Sequence, residues 1–348
     1  MQLSLVTGGS GFIGQHLVLL LCARGERVRV FDRRPPEWHD AAAAVDYHQG
    51  DIADPAAVDR AMAGAQRVYH LAANPNLWTR DPQDFARDNH QGTLNVLAAA
   101  ERHRPQRLVY TSTESILAGV RHRTVGGMID ESVALRVEDM PGPYCRSKFL
   151  AERAALDAAA RGLPVVVVNP TLPIGPGDRL LTPPSRMLVD FLNGRAPAYL
   201  ETLVNMIDVR DAALGHLLAA ERGRIGRRYI LGGENLTMSA LLMLLEDLSG
   251  RPMPKRRIPY WLAYLYGTVD EFLADRVTGK PPRAPLTGIR LARHAMRFDN
   301  SRALAELGLQ PRPLRHALAD AIAWFRDEGL LTEPAGAGRT PAEARAGE

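Results

Sequence analysis

The segment LSLVTGGSGFIG, residues 3–14, decides the fold class. Residues 3–7 are almost all apolar or β-forming and predict a buried strand. Apolar residues at helical spacing predict a helix over residues 12–23. Glycines between such a strand and helix form a turn in which a dinucleotide pyrophosphate can lie on the helix N-terminus. The segment therefore predicts a nucleotide-binding α/β fold.

Each glycine of this turn has a separate expected role. Gly8 permits the tight turn, Gly11 lets a pyrophosphate approach the backbone, and Gly14 lets the helix pack closely on the strand. The intervening Phe12 and Ile13 belong to the same helix N-terminus. We expect all five residues to contact the cofactor.

Strand and helix patterns alternate over the first 170 residues, and the strands are fully apolar. This favours a Rossmann-type, doubly wound parallel sheet with helices on both faces. We expect a cofactor-binding domain over residues 1–170, to which later segments can return. A smaller mixed α/β substrate lobe follows over residues 171–332, and residues 333–348 have the composition of a disordered tail. Further predicted strands or helices lie at residues 28–31, 68–71, 85–101, 108–112, 144–160 and 165–169.

Polar residues follow the second predicted strand. Asp32 lies about twenty residues after the glycines, where a carboxylate binds both ribose hydroxyls and favours NAD. Arg33 and Arg34 come next, and either could pair with a 2′-phosphate and admit NADP. The sequence favours NAD and leaves NADP open.

Several other residues fall at the carboxyl ends of predicted strands, where ligands of open α/β sheets bind. Asp51 and Ile52 follow the third strand and can meet the adenine, and small residues after the fourth strand leave room for the dinucleotide. The additional expected cofactor contacts are Asp51, Ile52, Leu71, Ala72, Ala73, Thr111, Tyr144, Lys148 and Pro170.

Tyr144 and Lys148 are four residues apart on a predicted helix and so share one face. An ammonium beside a phenol favours the phenolate, which would make the tyrosine a usable base near neutral pH. Thr113 ends a strand that delivers hydroxyls to the same edge and could hydrogen-bond a substrate oxygen. Thr113, Tyr144 and Lys148 are therefore the predicted catalytic residues.

The motifs resemble, in order and spacing, the extended short-chain dehydrogenase/reductase family, also described as the NAD-dependent epimerase/dehydratase family. They are Thr-Gly-x-x-Gly-x-x-Gly, His70-Leu-Ala-Ala, Asn89-x-x-Gly-Thr-x-Asn95, Tyr-Thr-Ser-Thr113, Tyr144-x-x-x-Lys148 and Asn169-Pro. The resemblance implies that Tyr144 is the general acid/base, that Lys148 lowers its pKa and binds the nicotinamide ribose, and that Thr113 orients the substrate oxygen. It covers roughly residues 1–330 and implies hydride transfer at a carbinol carbon.

Departures from the family pattern bear on the substrate. Glu114-Ser115 stands where dehydratases carry Asp-Glu, and Asn169-Pro170 stands where many sugar-nucleotide enzymes carry Arg-Pro. Residues 169–178 and 229–237 resemble hopanoid-associated sugar epimerases, which implies a context of bacterial lipid metabolism. Residues 258–273 resemble the 3β-hydroxysteroid dehydrogenase-like members, which act on hydrophobic alcohols and ketones.

Residues 255–277 combine a basic cluster with an apolar, aromatic helix. Such a helix could lie on a membrane surface, wall an apolar pocket, or pack in the core like any other helix. It is too short to span a bilayer, as is every other apolar stretch of the chain.

The composition of the chain restricts the kinds of molecule that we expect it to bind. The chain has 348 residues, a net charge of +4, two cysteines and no basic run with interleaved aromatics. We therefore expect no nucleic acid and no metal site. The apolar residues 258–273 and the family resemblance lead us to expect a small-molecule, hydrophobic substrate, and the resemblance also implies a homodimer. The first strand leaves no room for a signal peptide, so we expect a cytoplasmic protein, with membrane contact through residues 255–277 as an open alternative.

Three functions remain open. The leading one is an NAD(P)-dependent oxidoreductase that interconverts a secondary alcohol and a ketone on a keto-lipid, sterol or hopanoid-type molecule. The second is an NAD-dependent nucleotide-sugar epimerase, which returns the hydride to the opposite face of the sugar. The third is a non-catalytic dinucleotide-sensing protein, which has no need of a poised phenol.

Overall fold

The computed structural model describes residues 2–36, 45–118, 127–293 and 296–332. The predicted disordered tail lies outside the described residues. The strands, in chain order, are β1 (Leu3–Thr7), β2 (Arg27–Asp32), β3 (Val45–Gln49), β4 (Arg67–His70), β5 (Arg107–Thr111), β6 (Val165–Pro170), β7 (Leu172–Ile174), β8 (Ala198–Leu200), β9 (Leu203–Asp208), β10 (Arg228–Leu231), β11 (Glu234–Thr237) and β12 (Arg256–Ile258).

Helices alternate with the strands. They are α1 (Phe12–Ala23), α2 (Pro55–Met62), α3 (Gln83–Phe85), α4 (Gly92–His103), α5 (Pro143–Ala160), α6 (Pro183–Leu192), α7 (Val209–Arg222), α8 (Met238–Ser249), α9 (Tyr260–Leu273), α10 (Leu286–Ala292) and α11 (Leu314–Asp327). A π-helical segment, Ala86–Gln91, joins α3 to α4, and another, Ala274–Thr278, extends α9.

Seven parallel strands form the main sheet in the order β10-β6-β5-β4-β1-β2-β3. The chain winds outward in both directions from β1 and β4, so a crevice opens at the carboxyl ends of these two strands. This confirms the predicted doubly wound α/β fold.

The two faces of the main sheet have separate apolar cores. In β6, Val165 and Val167 pack into the cluster that contains Leu5 and residues of α2, α4 and α5. Val166 and Val168 pack into the opposite cluster, with residues of α1 and α7. Alternate side chains of a strand point to opposite faces. Because helices cover both faces of the sheet here, each of these four positions faces an apolar core, which explains the run of four valines.

A smaller lobe is built mostly from residues after β6. It contains a three-stranded sheet in the order β11-β9-β7 and the parallel pair β12-β8. This lobe has its own apolar cluster, the third in the structure, to which α6, α8 and α11 contribute most of the residues. β10 and α7 interrupt the lobe: β10 pairs with β6 in the main sheet, and α7 packs against α1. The four short strands β7, β8, β11 and β12 were not predicted from the sequence.

Helix α2 begins at the dipeptide Asp54-Pro55, in which Asp54 caps the helix. The Asp54 carboxylate accepts hydrogen bonds from the backbone N–H groups of Ala56 and Ala57, at 2.9 and 3.2 Å. Pro55, at the first helical position, has no N–H that would need a partner. The side chain thus satisfies two donors that a helix start otherwise leaves unpaired.

We predict that Asp54→Ala lowers the free energy of unfolding by about 0.5–2 kcal/mol, because an N-cap acceptor is lost. Urea denaturation measures the change. Asp54→Asn keeps a cap acceptor and is the matched control, for which we expect nearly wild-type stability. Equal destabilisation by both variants would show that the carboxylate acts through its charge rather than as a cap.

Candidate active site

A cavity of about 820 Å³ lies between the carboxyl ends of the main sheet and the smaller lobe. Every residue predicted to bind the cofactor or to act in catalysis lines it: Gly8, Gly11, Phe12, Ile13, Gly14, Asp32, Arg33, Asp51, Ile52, Leu71, Ala72, Ala73, Thr111, Thr113, Tyr144, Lys148 and Pro170. The structure therefore brings together residues that are spread over more than 160 positions of the sequence.

The glycine turn fits a dinucleotide in shape. Gly8 has a φ of +72°, and a Cβ there would lie 2.6 Å from the backbone nitrogen of Ala72. A Cβ at Gly14 would overlap the carbonyl oxygen of Gly8. Gly11 has only that carbonyl nearby and borders the cavity, so a side chain there would fill the space above the N-terminus of α1. An anionic pyrophosphate can take that space.

Asp32 is held at the end of β2. Its carboxylate accepts hydrogen bonds from the backbone N–H of Ser10 at 3.1 Å and of Arg34 at 3.3 Å. The Arg33 guanidinium lies 3.6 Å from the Asp88 carboxylate and 3.9 Å from that of Asp51. Because two carboxylates already face Arg33, this end of the cavity disfavours a 2′-phosphate and suits NAD.

Lys148 is buried against the end of β5. Its ammonium donates a hydrogen bond of 2.7 Å to the carbonyl oxygen of Thr111 and lies 4.9 Å from the centre of the Tyr110 ring. Burial lowers its pKa to about 8, although the nearby Glu152 carboxylate raises it. An ammonium has three donors, and among the described residues one donor is used. The others border the cavity and suit ribose hydroxyls.

Tyr144 lies in the first turn of α5, one turn before Lys148. Burial raises the pKa of its phenol well above the usual value, the charge of Glu114 raises it further, and a hydrogen bond with Thr113 lowers it. In this structure the pKa is thus raised, whereas the sequence led us to expect that Lys148 would lower it. The Lys148 ammonium is directed to the Thr111 carbonyl oxygen, and it is not among the groups that shift the pKa of Tyr144. A phenol in this state holds its proton at neutral pH.

Glu114 was not predicted as a site residue. Its carboxylate is buried, accepts a 2.8 Å hydrogen bond from the Thr113 hydroxyl and a 3.3 Å one from Ser115, and borders the same cavity. Burial raises its pKa. The sequence does carry a signal, because Glu114 is a lone charge between strand hydroxyls and the apolar run Ile116-Leu117-Ala118.

The smaller lobe closes the cavity with mainly apolar residues. They come from β7, β9, α6, α8, α10 and the loops around them: Leu172, Leu180, Met187, Val204, Met238, Leu291, Ala292 and Met296. Asp178 and Arg186 are the charged residues on this side, and the Asp178 carboxylate is already used by the backbone N–H of Thr182 at 2.9 Å. A largely apolar molecule fits such a wall.

Three curated relatives match almost the whole fold. A protein of Synechocystis sp. with the provisional name dihydroflavonol 4-reductase is 39% identical, over 94% of this chain and 95% of its own length. Sterol demethylase protein B of Methylococcus capsulatus is 35% identical, over 94% and 99%. The 2-alkyl-3-oxoalkanoate reductase of Stenotrophomonas maltophilia is 36% identical, over 80% and 86%.

A solved structure shows the same architecture. The crystal structure of gox2253 superposes with a TM-score of 0.82 and 34% identity, and covers 95% of this chain and all of that one. The family described as NAD dependent epimerase/dehydratase matches residues 4–232. The match includes the glycine turn, Thr113 just after β5, and the helix that carries Tyr144 and Lys148. The chain therefore belongs to the NAD dependent epimerase/dehydratase family, whose members are enzymes of the extended short-chain dehydrogenase/reductase type.

Proposed function

We propose that this enzyme is an NAD(P)-dependent oxidoreductase that interconverts a ketone and a secondary alcohol on a hydrophobic, lipid-like substrate of keto-lipid, sterol or hopanoid type. Thr113, Tyr144 and Lys148 form its catalytic site. The observation that carries the proposal is the position of the buried Tyr144 phenol, which lies beside Thr113 in a cavity whose other wall is largely apolar.

Reduction needs Tyr144 as a protonated phenol, and oxidation needs it as a phenolate. A ketone that accepts a hydride at carbon needs a proton at its oxygen, and a protonated phenol can donate it. The Thr113 hydroxyl has one proton, which it gives to the Glu114 carboxylate in this structure; when it turns from Glu114 to the substrate, it donates a second hydrogen bond to that oxygen. The bound nicotinamide supplies the hydride. Lys148 holds the ribose and its positive charge stabilises the phenolate that remains.

The apolar wall sets the substrate class. A sugar nucleotide carries many hydroxyls and a charged diphosphate, and burying them against Leu172, Met187 and Leu291 would leave polar groups without partners. A ketone on a ring system or alkyl chain gains free energy from the same wall. The printed names of two relatives, a sterol demethylase protein and a 3-oxoalkanoate reductase, support this class.

The oligomeric state and the location of the enzyme are also part of the proposal. We propose a homodimer in the cytoplasm that associates through two helices of the first domain, α4 and α5, where Leu150 is exposed. We propose peripheral contact with the inner membrane through residues 255–277. In the described part of the chain, no helix is long and apolar enough to cross a bilayer.

We predict that Tyr144→Phe lowers the rate of ketone reduction by about 10²–10⁴-fold, because the proton donor is lost. Binding of NADH, measured by fluorescence titration, should remain nearly unchanged. Tyr199→Phe removes a half-buried phenol of β8 that does not line the cavity and is the matched control. Near-normal turnover by Tyr144→Phe would refute the assigned proton step.

We predict that Asp32→Ala weakens NADH by about tenfold, because charge-assisted hydrogen bonds to the ribose are lost. NADPH should be weakened less, since a repelling charge is removed as well. Titration of both cofactors measures the ratio, and Asp32→Asn separates charge from hydrogen bonding. A thermal melt checks the fold, because Asp32 also holds the Ser10 N–H. Equal losses for both cofactors would contradict the ribose role.

We predict that Glu114→Gln shifts the pH profile of alcohol oxidation to lower pH. Oxidation needs the phenolate as base, and the charge of Glu114 raises the pKa of Tyr144. Removing that charge lowers the pKa, so the base forms at lower pH. The exposed Glu138→Gln is the control. An unchanged profile would show that the two groups do not interact.

A further inference from the structure

Helix α9 is packed the opposite way from an ordinary surface helix. The side that faces the protein carries small residues, with Ala263 and Gly267 buried and Ala274 continuing the same side in the π-helical turn. The outward side carries large apolar residues, including Trp261, 66% exposed, and Phe272, 61% exposed. An amphipathic helix normally buries its large apolar residues. This arrangement excludes one interpretation that the sequence left open, namely that α9 packs in the core like any other helix.

Close packing fixes this orientation. A Cβ on Gly267 would overlap the side chain of Ile289 in α10 and lie 2.9 Å from the carbonyl oxygen of Ala284. The carboxylates of Asp270 and Glu271 accept hydrogen bonds from the backbone N–H groups of Ala284 and Leu286, at 3.0 and 2.7 Å. Rotating α9 to bury its large residues would break these bonds and force side chains into α10.

The exposed apolar surface is concentrated in one place. Nine of the sixteen exposed large apolar side chains of the described residues lie between positions 261 and 277: Trp261, Leu262, Tyr264, Leu265, Tyr266, Val269, Phe272, Leu273 and Val277. We call this set the α9 face. Exposed apolar residues scattered singly need no explanation, but a contiguous patch marks an interaction site.

Basic residues frame the α9 face. Residues 255–283 contain six basic and three acidic residues. The basic ones precede and follow the helix: Lys255, Arg256, Arg257, Arg276, Lys280 and Arg283. Within the described residues, none of the six pairs with a carboxylate. The acidic ones are engaged elsewhere: Asp270 and Glu271 hold α10, and Asp275 accepts a 2.8 Å hydrogen bond from the Trp78 indole.

Helix α10 and the connection that leads to it separate α9 from the active-site cavity. On one side of α10, Ile289 packs against α9 at Gly267. Gly288 and Leu291 of the same helix line the cavity. Pro281, in the connection from α9 to α10, lines the cavity as well. A surface that binds the α9 face would therefore lie beside the wall that closes the substrate site.

We propose that the α9 face docks on a bilayer of anionic lipid and that the hydrophobic substrate passes from this bilayer into the cavity past α10. The part about the substrate rests on the proposed function. Aromatic and aliphatic side chains framed by lysine and arginine are the residues by which a helix lies in a membrane interface. A second copy of this chain would offer the same basic frame and would be repelled, so the charges favour the anionic bilayer.

Vesicle cosedimentation of the full chain tests the docking without substrate or cofactor. We expect binding to phosphatidylglycerol vesicles and much weaker binding to phosphatidylcholine vesicles. The double variant Leu265→Gln/Phe272→Gln should bind about tenfold or more weakly, and so should Arg256→Glu/Arg257→Glu. Ile225→Gln/Met243→Gln changes equally exposed apolar residues elsewhere and should bind like the wild type. Unchanged melting temperatures show that the variants are folded.

Three results would overturn the docking proposal. One is no binding of the wild-type chain to phosphatidylglycerol vesicles. Another is equal binding by Leu265→Gln/Phe272→Gln and the wild type. The third is a smaller oligomer of this variant in sedimentation velocity, which would identify the α9 face as a contact between copies of the chain.

A second readout separates docking from the chemistry. A steroid ketone is presented either in phosphatidylglycerol vesicles or in cyclodextrin. Leu265→Gln/Phe272→Gln should reduce the vesicle-borne ketone about tenfold more slowly and the cyclodextrin-borne ketone at the wild-type rate. Equal rates from vesicles would refute delivery from the bilayer. If the proposed oxidoreductase function fails, the wild-type chain reduces neither sample while its vesicle binding remains.

Discussion

The hydrogen bond from the Lys148 ammonium to the Thr111 carbonyl oxygen joins the helix that carries the phenol to the strand that leads to Thr113. A buried ammonium needs such a partner, because an unpaired charge in a protein interior is strongly destabilising. The bond therefore fixes the register of α5 against β5. With this register, Tyr144 and Thr113 meet at the carboxyl end of the sheet, where the family binds its dinucleotide.

The two lobes divide the task between chemistry and selectivity. The first domain supplies the glycine turn, Asp32 and the three proposed catalytic residues, so it sets the cofactor and the reaction class. The smaller lobe supplies an apolar wall and, through α9, an apolar outer surface. The proposed hydrophobic substrate would account for both apolar surfaces. The wall of the cavity would hold the molecule, and the outer surface of α9 would contact the membrane that contains it.

Much of the first domain could be predicted because its signals are local. The glycine turn, the run of four valines and Asp54-Pro55 each specify structure within a few residues. Glu114 could not be placed, since its burial beside Thr113 and Tyr144 depends on the packing of separate elements. The orientation of α9 could not be predicted from the sequence either. The sequence shows that the helix is apolar, but only the contact of Gly267 with Ile289 shows which side faces inward.

The measurement that tests the central claim most directly is the stoichiometry of turnover with externally added NADH and a hydrophobic ketone. The account predicts that one equivalent of NADH is oxidised for each secondary alcohol formed, and that the reaction continues over many turnovers. Tightly held NAD that copurifies with the chain, with no net oxidation of added NADH and with inversion of a nucleotide sugar, would contradict it and identify an epimerase.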